Sequence, residues 1–325
     1  MAFRSMHAAR RQLGTISYTK GNRETLDLET GAVLFNLFLR LKFTITAGAT
    51  AMIGPKWFTL ARLIKKLEIE VQEQDNIVSM DGAGVLMRAL RDYGTLPLGA
   101  GDTFALSGTT SYDIWIPLAL FLPRSNLQTA LDLRGINSAT LAVTWGGLSD
   151  LVTTPGATAA LSGVSLQVVG EYWQDVPNEL PRFAVRELTQ QTNPLTGSNS
   201  EFNIAMDKNT GVRYRSLVLA SLQNDIAVDT VLAGNAQLLS GSDVFWNAPA
   251  LMARASDKIY RSLESEANLT GLYPFEVSSF GQSEQMIPTN ALDADLRFEL
   301  DATYTAGNTK VVNYKEAVRA MKLGA

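Results

Sequence analysis

The 325-residue sequence contains no cysteine and a single histidine, and it is poor in charged residues. Without cysteine there are no disulfides, no thiolate nucleophile and no cysteine-ligated zinc. The single histidine, His7, lies near the N-terminus, so histidine-rich metal sites and Ser-His-Asp chemistry lack their parts. Hydrophobic residues make up 46% and charged residues 18%, which is typical of a folded chain with one large or two medium domains.

Long hydrophobic runs are also missing. The N-terminal stretch MAFRSMHAARRQLG has arginines spread through it and no apolar core, unlike a signal peptide. The most apolar stretch, GAVLFNLFLRLKFTIT, is too short and too charged to span a membrane. We therefore expect a protein that is made and kept in the cytosol, or in a particle assembled there.

That apolar stretch alternates in character. From Val33 to Ile45 every second residue is apolar, and this period of two predicts a long β-strand with one buried face. Shorter stretches such as LEIEV, ATLAVTW and SLVLASL follow the same habit. Helical spacing is found in GAGVLMRALRDYG and in NAPALMARASDKIYRSL, where a stripe of Leu251, Ala255, Ile259 and Leu263 indicates core packing. The predicted class is mostly β with short inserted helices.

Four acids crowd the stretch NALDADLRFELDATY, and they are Asp293, Asp295, Glu299 and Asp301. Leu296, Phe298 and Leu300 alternate with this polar set, so a strand would place the two sets on opposite faces. Alternate carboxylates on a strand lie about 7 Å apart, whereas hard-cation sites gather ligands from a tight loop or several elements. We interpret the row as a solvated or partner-facing surface, and we predict no catalytic, metal or cofactor site. Calcium at a subunit interface stays open, through acids such as those of Asp225–Asp229.

The two halves of the chain repeat one order of elements. Each half runs through a strand, a helix, an apolar stretch and a TALD or TNALD element before an alternating strand. Between them, YWQDVPNELPRF has the prolines and polar residues of an interdomain linker. We predict a basic N-terminal segment at 1–17, a first β-sandwich at 18–175, a linker at 176–184 and a second sandwich at 185–325. Two tandem β-sandwiches with inserted helices fit a pair of jelly rolls.

The order of elements also carries a resemblance. It includes the basic N-terminal segment, SYDIWIPLALFL, LQTALDLRGINSATLAVTW, the proline-bearing joint, GLYPFEVSSF and NALDADLRFELDATY. Over most of its length the chain resembles the major capsid proteins of tailless, membrane-containing icosahedral bacteriophages, the double jelly-roll group of tectiviruses and corticoviruses. The resemblance implies a structural protein without enzymatic activity, which forms homotrimers that tile an icosahedral shell over an internal membrane. It further implies minor and vertex capsid proteins as partners, and a place in the virion after assembly in the host cytoplasm.

The first 23 residues are strongly basic. They hold five positive charges, at Arg4, Arg10, Arg11, Lys20 and Arg23, and no acid, against 23 basic and 32 acidic residues in the rest of the chain. Such asymmetry predicts an anionic partner. On a helix, Phe3, Met6, Ala9 or Arg10, and Leu13 would share a face, and a flexible solvated tail is the alternative that the same residues leave open. The resemblance implies that this segment points inward, so we expect Arg4, Arg10 and Arg11 to face an anionic membrane surface and expect no direct nucleic-acid binding.

Two other functions remain open at this stage. A carbohydrate-binding sandwich would need exposed tryptophans aligned on one edge, and the candidates are Trp57, Trp115, Trp145, Trp173 and Trp246. A carboxylate glycosidase would need two acids facing each other across a cleft. Fold alone does not separate these functions from a capsid role.

Overall fold

The computed structural model describes residues 7–73, 75–122, 129–174, 184–206, 211–261, 269–277, 286–292, 294–305 and 307–320. Backbone proximity divides the chain into two units. Unit 1 is Met1–Arg186 with Met321–Ala325, and unit 2 is Glu187–Ala320. The predicted linker at 176–184 lies outside the described residues except for Ala184, so the predicted domain boundaries stay predictions.

Unit 1 is built mainly of strands. They are β1 (His7–Ser17), β2 (Arg23–Asp27), β3 (Val33–Thr46), β4 (Ile53–Pro55), β5 (Ile64–Val71), β6 (Asp75–Met80), β7 (Thr109–Ala119), β8 (Leu131–Asp132), β9 (Ala139–Trp145), β10 (Val152–Thr154) and β11 (Ala160–Gln174). Its helices are α1 (Gly82–Tyr93) and the short α2 (Leu148–Leu151), with a 3-10 turn at Thr59–Leu63.

Unit 2 has a similar composition of elements. Its strands are β12 (Ala184–Pro194), which begins at the end of unit 1, β13 (Asn199–Ala205), β14 (Arg213–Gln223), β15 (Ile226–Ala227), β16 (Asn235–Ser240), β17 (Asp243–Pro249), β18 (Leu272–Glu276), β19 (Ile287–Pro288), β20 (Leu296–Ala302) and β21 (Thr309–Ala320). Its helical elements are α3 (Ala250–Arg261) and 3-10 turns at Thr230–Leu232 and Thr289–Ala291.

The two units share one connectivity. In unit 1 one sheet has the order β1-β11-β3-β7 and the other includes β6-β5-β9-β2. In unit 2 the corresponding orders are β12-β21-β14-β18 and β17-β16-β20-β13. Numbered along each unit's eight long strands, both give 1-8-3-6 and 5-4-7-2, the pattern of a jelly roll. The predicted fold class is therefore confirmed, and so is the repeated order of elements.

Alternation of apolar residues explains which strand faces are buried. In β3 the side chains of Leu37, Leu39 and Leu41 are fully buried, while Lys42 and Thr46, which follow on the other face, are exposed. Successive side chains on a strand point to opposite faces, so the period read from the sequence becomes one core face and one outer face. The prediction of a long strand from Val33 is confirmed.

The helices lie at the same step of each unit, between the fifth and sixth long strands, but they pack differently. In α1 every residue from Gly82 to Arg91 is buried. The Asp81 side chain caps its first turn by accepting from the Gly84 N–H at 2.7 Å. The helix ends at Gly94, whose φ of +83° permits a left-handed cap.

The predicted core stripe of α3 is wrong at its first two positions. Leu251 and Ala255 are exposed, whereas Ala250 and Ala253 are buried. The small alanines form the packed side of α3, which leaves the longer side chains of its first turn in water. The side chain of Ile259 and the whole of Leu263 lie outside the described residues. Within the part of the chain that is described, no helix is long and apolar enough to cross a membrane.

Candidate functional site

The acidic row near the C-terminus lies on β20, as the alternation predicts. The buried side chains of this strand are Leu296, Phe298, Leu300 and Ala302. On the opposite side Asp301 is exposed, and Glu299 is half-buried at 3.9 Å from Arg297. Asp295 is exposed just before the strand, and Asp293 lies outside the described residues. The row is therefore the outer face of a strand. Among the described residues, no group of three or more His, Cys, Asp or Glu side chains is placed to hold a metal ion.

The acids of the Asp225–Asp229 loop have cationic partners within unit 2. Asp225 pairs with the Lys310 ammonium group. Asp229 binds the Arg254 guanidinium through both oxygens, with 3.1 Å between Nη1 and Oδ2. The Gly271 N–H also donates to Asp229 Oδ1 at 2.7 Å. These contacts use the loop to hold α3, which carries Arg254.

Arg254 is the polar anchor of α3. Its Nε donates to the carbonyl oxygen of Leu272 at 3.0 Å, and its Cζ lies 5.0 Å from the Tyr273 ring centroid. The Arg254 hydrogen bond, aided by the Gly271 N–H, lowers the pKa of Asp229 below its ordinary value of 3.8. The arrangement fastens a helix to β18, and both charged groups are used in doing so.

Among the described residues, a buried arginine–carboxylate pair is found in each unit. In unit 1, Arg186 Nη2 lies 2.9 Å from Asp92 Oδ1, and the two side chains are 0% and 1% exposed. In unit 2, Arg215 Nη1 lies 2.9 Å from Glu316 Oε1, with side chains 2% and 0% exposed. A buried charge is tolerated when it is paired and hydrogen-bonded, so these acids serve the fold.

The basic N-terminal segment is part of a sheet. From His7 to Ser17 it forms β1, which pairs antiparallel with β11. The helical pattern suggested by Phe3, Met6 and Leu13 is therefore wrong from His7 onward, because backbone pairing with β11 overrides the local spacing. Arg4 and the remaining residues of 1–6 lie outside the described residues.

Both described arginines of this segment have acidic partners. Arg10 binds Glu171 on β11, and its Cζ lies 5.7 Å from the Phe38 ring centroid. Arg11 binds Glu29. The Arg10 side chain is still 74% exposed, so a partner could reach it, but its charge is partly offset within unit 1. The structure does not test the predicted membrane contact of Arg4, Arg10 and Arg11.

The five tryptophans have separate packing roles. Trp145 is fully buried and donates from Nε1 to the Ser17 carbonyl oxygen at 2.8 Å. Trp173 stacks on Phe35 at 4.4 Å, and Trp246 meets Phe275 edge to face at 5.4 Å. Trp57 is 9% exposed. Trp115 lies under the Arg40 guanidinium at 4.8 Å. These contacts indicate that the tryptophan rings pack in the cores and on the sheet faces. They occupy ring surfaces that a carbohydrate-binding site would have to expose.

Unit 2 exposes four large apolar side chains that sequence reasoning missed. They are Val244 and Phe245 on β17 with Leu251 and Met252 on α3, each between 43% and 57% exposed. The helical stripe signalled an apolar helix, but only the packing of Ala250 and Ala253 shows which side faces water. We call these four exposed residues the β17–α3 surface.

The comparisons with known proteins agree at the level of the fold. No protein-family model and no curated protein matches the chain. Among solved structures, the chain is similar to one of Sulfolobus Turreted Icosahedral Virus, with a TM-score of 0.75, 10% identity, and coverage of 97% of this chain and 90% of that one.

Two further structures match over nearly the whole chain. The major capsid protein P2 from Bacteriophage PM2 gives a TM-score of 0.63 at 12% identity, with 97% of this chain and 98% of that chain covered. The Faustovirus major capsid protein gives 0.64 at 8% identity, with 100% and 92% covered. The resemblance seen in the sequence is thereby confirmed for the fold, which is a tandem pair of jelly rolls.

Proposed function

We propose that this chain is the major capsid protein of an icosahedral virus, a structural protein of the virion shell with no enzymatic activity. The observation that carries the proposal is one jelly-roll connectivity repeated in both units, each with its helix at the same step. That plan matches capsid proteins over at least 97% of the chain. Fold alone does not imply function. The internal pairing of the acids and the packing of the tryptophans add support, because both favour a structural role over the two alternatives.

The chain assembles as a homotrimer, and trimers pack beside one another. Three chains of two similar sandwiches place six comparable blocks around a threefold axis, and such an outline suits hexagonal tiling. The four exposed apolar side chains of β17 and α3 support self-association, because a protein interface would remove them from water. Minor and vertex capsid proteins complete the shell, which assembles in the host cytoplasm.

An anionic membrane surface is the proposed partner of the N-terminal segment. The five positive charges in the first 23 residues support it, since basic segments are attracted to anionic lipid. The pairing of Arg10 with Glu171 and of Arg11 with Glu29 reduces this attraction but leaves Arg10 accessible. With a membrane between shell and genome, the chain makes no direct contact with nucleic acid.

Sedimentation velocity of the purified full-length chain, followed by negative-stain microscopy, tests the proposal. We expect trimers at micromolar concentration and neutral pH, and hexagonal arrays or closed shells at higher concentration. A chain that stays monomeric, or that turns over glycosides with a dependence on one carboxylate, contradicts the capsid role.

A further inference from the structure

Unit 2 has an apolar cleft, and Phe245 belongs both to its lining and to the β17–α3 surface. The cleft has a volume of about 330 Å³ and is lined by Phe245 and Trp246 of β17, Phe275 of β18, and Met286 and Ile287 next to or within β19. The strand β17 ends one sheet of the sandwich, while β18 and β19 pair with β14 in the other. The cleft therefore lies at the edge where the two sheets face each other. Its lining is mostly apolar and aromatic, as in sites that accept an anchoring side chain.

Unit 1 presents a matching apolar projection. Leu98, in the connection between α1 and β7, is 76% exposed, the largest fraction among the exposed large apolar side chains of the described residues. Its backbone is fixed, because the Trp115 N–H donates to the Leu98 carbonyl oxygen at 3.0 Å. The next residue, Gly99, has a φ of +76°, and a Cβ there would overlap the Asp113 carbonyl oxygen. Leu98 is thus held outward by a loop pressed onto β7, and a preorganised side chain loses little freedom when it docks.

The charges of the two units are complementary. Unit 1 contains 18 basic and 16 acidic residues, a net charge of +2, while unit 2 contains 10 basic and 16 acidic residues, a net charge of −6. A contact between unit 2 of one copy and unit 2 of another would bring two strongly negative bodies together. A contact between unit 1 of one copy and unit 2 of the next brings opposite charges together, which favours that pairing.

We infer that copies of this chain associate head to tail, with Leu98 of unit 1 in one copy docking into the unit 2 cleft of its neighbour, against Phe245. A head-to-tail contact uses two different surfaces and closes into a ring when its rotation is a simple fraction of a turn, as for a trimer. The β17–α3 surface forms the rim of this contact, where Met252 adapts to the incoming loop. The inference rests on the proposed self-association and names the surfaces that carry it.

Cysteine cross-linking tests the contact directly, because the natural chain has no cysteine. Leu98→Cys and Phe245→Cys are made separately in the full-length chain, the two proteins are mixed to exchange subunits, and a short bismaleimide is added. We expect a cross-linked product that contains one copy of each variant, and none from either variant alone. Ile53→Cys is the matched control, since Ile53 is an exposed apolar residue of unit 1 on β4. It should give no product with Phe245→Cys.

A second measurement introduces a negative charge at position 98 and follows trimer dissociation instead of cross-linking. Leu98→Asp should raise the dissociation constant of the trimer at least tenfold and leave the unfolding midpoint of the monomer unchanged, because Leu98 is exposed. Ile53→Asp should change neither value.

The outcomes separate this inference from the proposed function. If the wild-type chain forms trimers but the mixture of the Leu98→Cys and Phe245→Cys variants gives no cross-linked product, the inference alone is overturned. A product from Phe245→Cys with itself also overturns it, because that product indicates a contact between like units. A wild-type chain that remains monomeric overturns both.

Discussion

The helices α1 and α3 occupy the same step of the two jelly rolls, but they differ in which side chains they bury. In α1, Leu86 and Leu90 are buried together with the whole helix through Arg91. In α3, Leu251 and Met252 are exposed, and the buried residues among the described side chains are Ala250, Ala253 and Asp257. Apolar burial and the buried Asp92–Arg186 pair therefore fasten the helix of unit 1, whereas an ion pair with Asp229 that is open to water helps to fasten the helix of unit 2.

This difference shows how one connectivity can serve two purposes. In unit 1 the helix contributes large apolar side chains, among them Leu86 and Leu90, to the core. In unit 2 the buried residues of the helix, among its described side chains, are Ala250, Ala253 and Asp257, while Leu251 and Met252 are exposed and an apolar cleft lies between β17 and β18. One connectivity thus holds a helix whose leucines are buried in unit 1 and a helix whose first leucine is exposed in unit 2.

Removing the buried carboxylate of α1 should have the largest effect on stability. Asp92→Ala leaves the Arg186 guanidinium buried without its anion, and breaking such a pair costs roughly 3–5 kcal/mol. Urea unfolding followed by circular dichroism should show an earlier transition for unit 1. Asp113→Ala is the control, because Asp113 pairs with Arg40 on an exposed sheet face, and its midpoint should stay close to wild type. Equal midpoints for the two variants would contradict the structural role given to the Asp92 pair.

Truncating one leucine in each helix compares the two directly. Leu86→Ala opens a cavity at a fully buried site of α1 and should cost about 2–5 kcal/mol of unfolding free energy. Leu251→Ala in α3 should change it by no more than about 0.5 kcal/mol, because that side chain is 45% exposed. Denaturant unfolding of both variants measures the difference. A large loss for Leu251→Ala in the monomer would show that α3 is packed by its leucine.

The two-residue period of apolar side chains and the order of strands and helices could both be read from the sequence. These two features predicted most of the fold. The alternation in β3 and β20 follows from a two-residue repeat that needs no tertiary information. The two jelly rolls followed from the repeated order of strand, helix and strand. Local spacing was not sufficient for the N-terminal segment, where pairing with β11 decides between strand and helix.

The candidate site depended on contacts that no local pattern contains. Arg186 and Asp92 are 94 residues apart, and Arg215 and Glu316 are 101 apart, so neither pair has a sequence signature. The exposed side of α3 was also hidden, because a stripe of apolar residues does not say which neighbour covers it. Both facts require the folded chain.

The anchor of α3 should respond to acid, unlike the buried leucines of α1. The pKa of Asp229 is lowered by Arg254, so its contribution is fully present above the ordinary carboxyl value of 3.8. It is lost as the pH falls below that value through the lower folded pKa. We expect Asp229→Asn to destabilise unit 2 at neutral pH and to reduce its loss of stability between about pH 5 and pH 3. The effect should be smaller than that of Asp92→Ala, because the pair is open to water.

Unfolding of unit 2 measured across this pH range checks the expectation. Asp243→Asn removes an exposed carboxyl at the start of β17 and serves as the matched control. If Asp229→Asn and Asp243→Asn show the same pH profile, the polar anchor does not hold α3.

The smallest expected effect concerns the basic N-terminal segment of unit 1 and its proposed binding to an anionic membrane, a role for which the acidic unit 2 has no counterpart. Each arginine near an anionic bilayer contributes roughly 1 kcal/mol, and the pairing of Arg10 with Glu171 and of Arg11 with Glu29 reduces that figure. Changing Arg4, Arg10 and Arg11 to glutamine should therefore weaken trimer binding to anionic vesicles about tenfold at low salt, with less difference at high salt.

Vesicle co-sedimentation measures the binding, and the matched control replaces Lys56, Lys65 and Lys66 by glutamine. The control removes the same charge from unit 1, so a general attraction of the basic unit would weaken both variants equally. A specific role for the N-terminal segment requires the arginine variant to bind more weakly than the lysine variant. Equal binding by both would assign the attraction to the net charge of unit 1 and remove the segment from the proposed membrane contact.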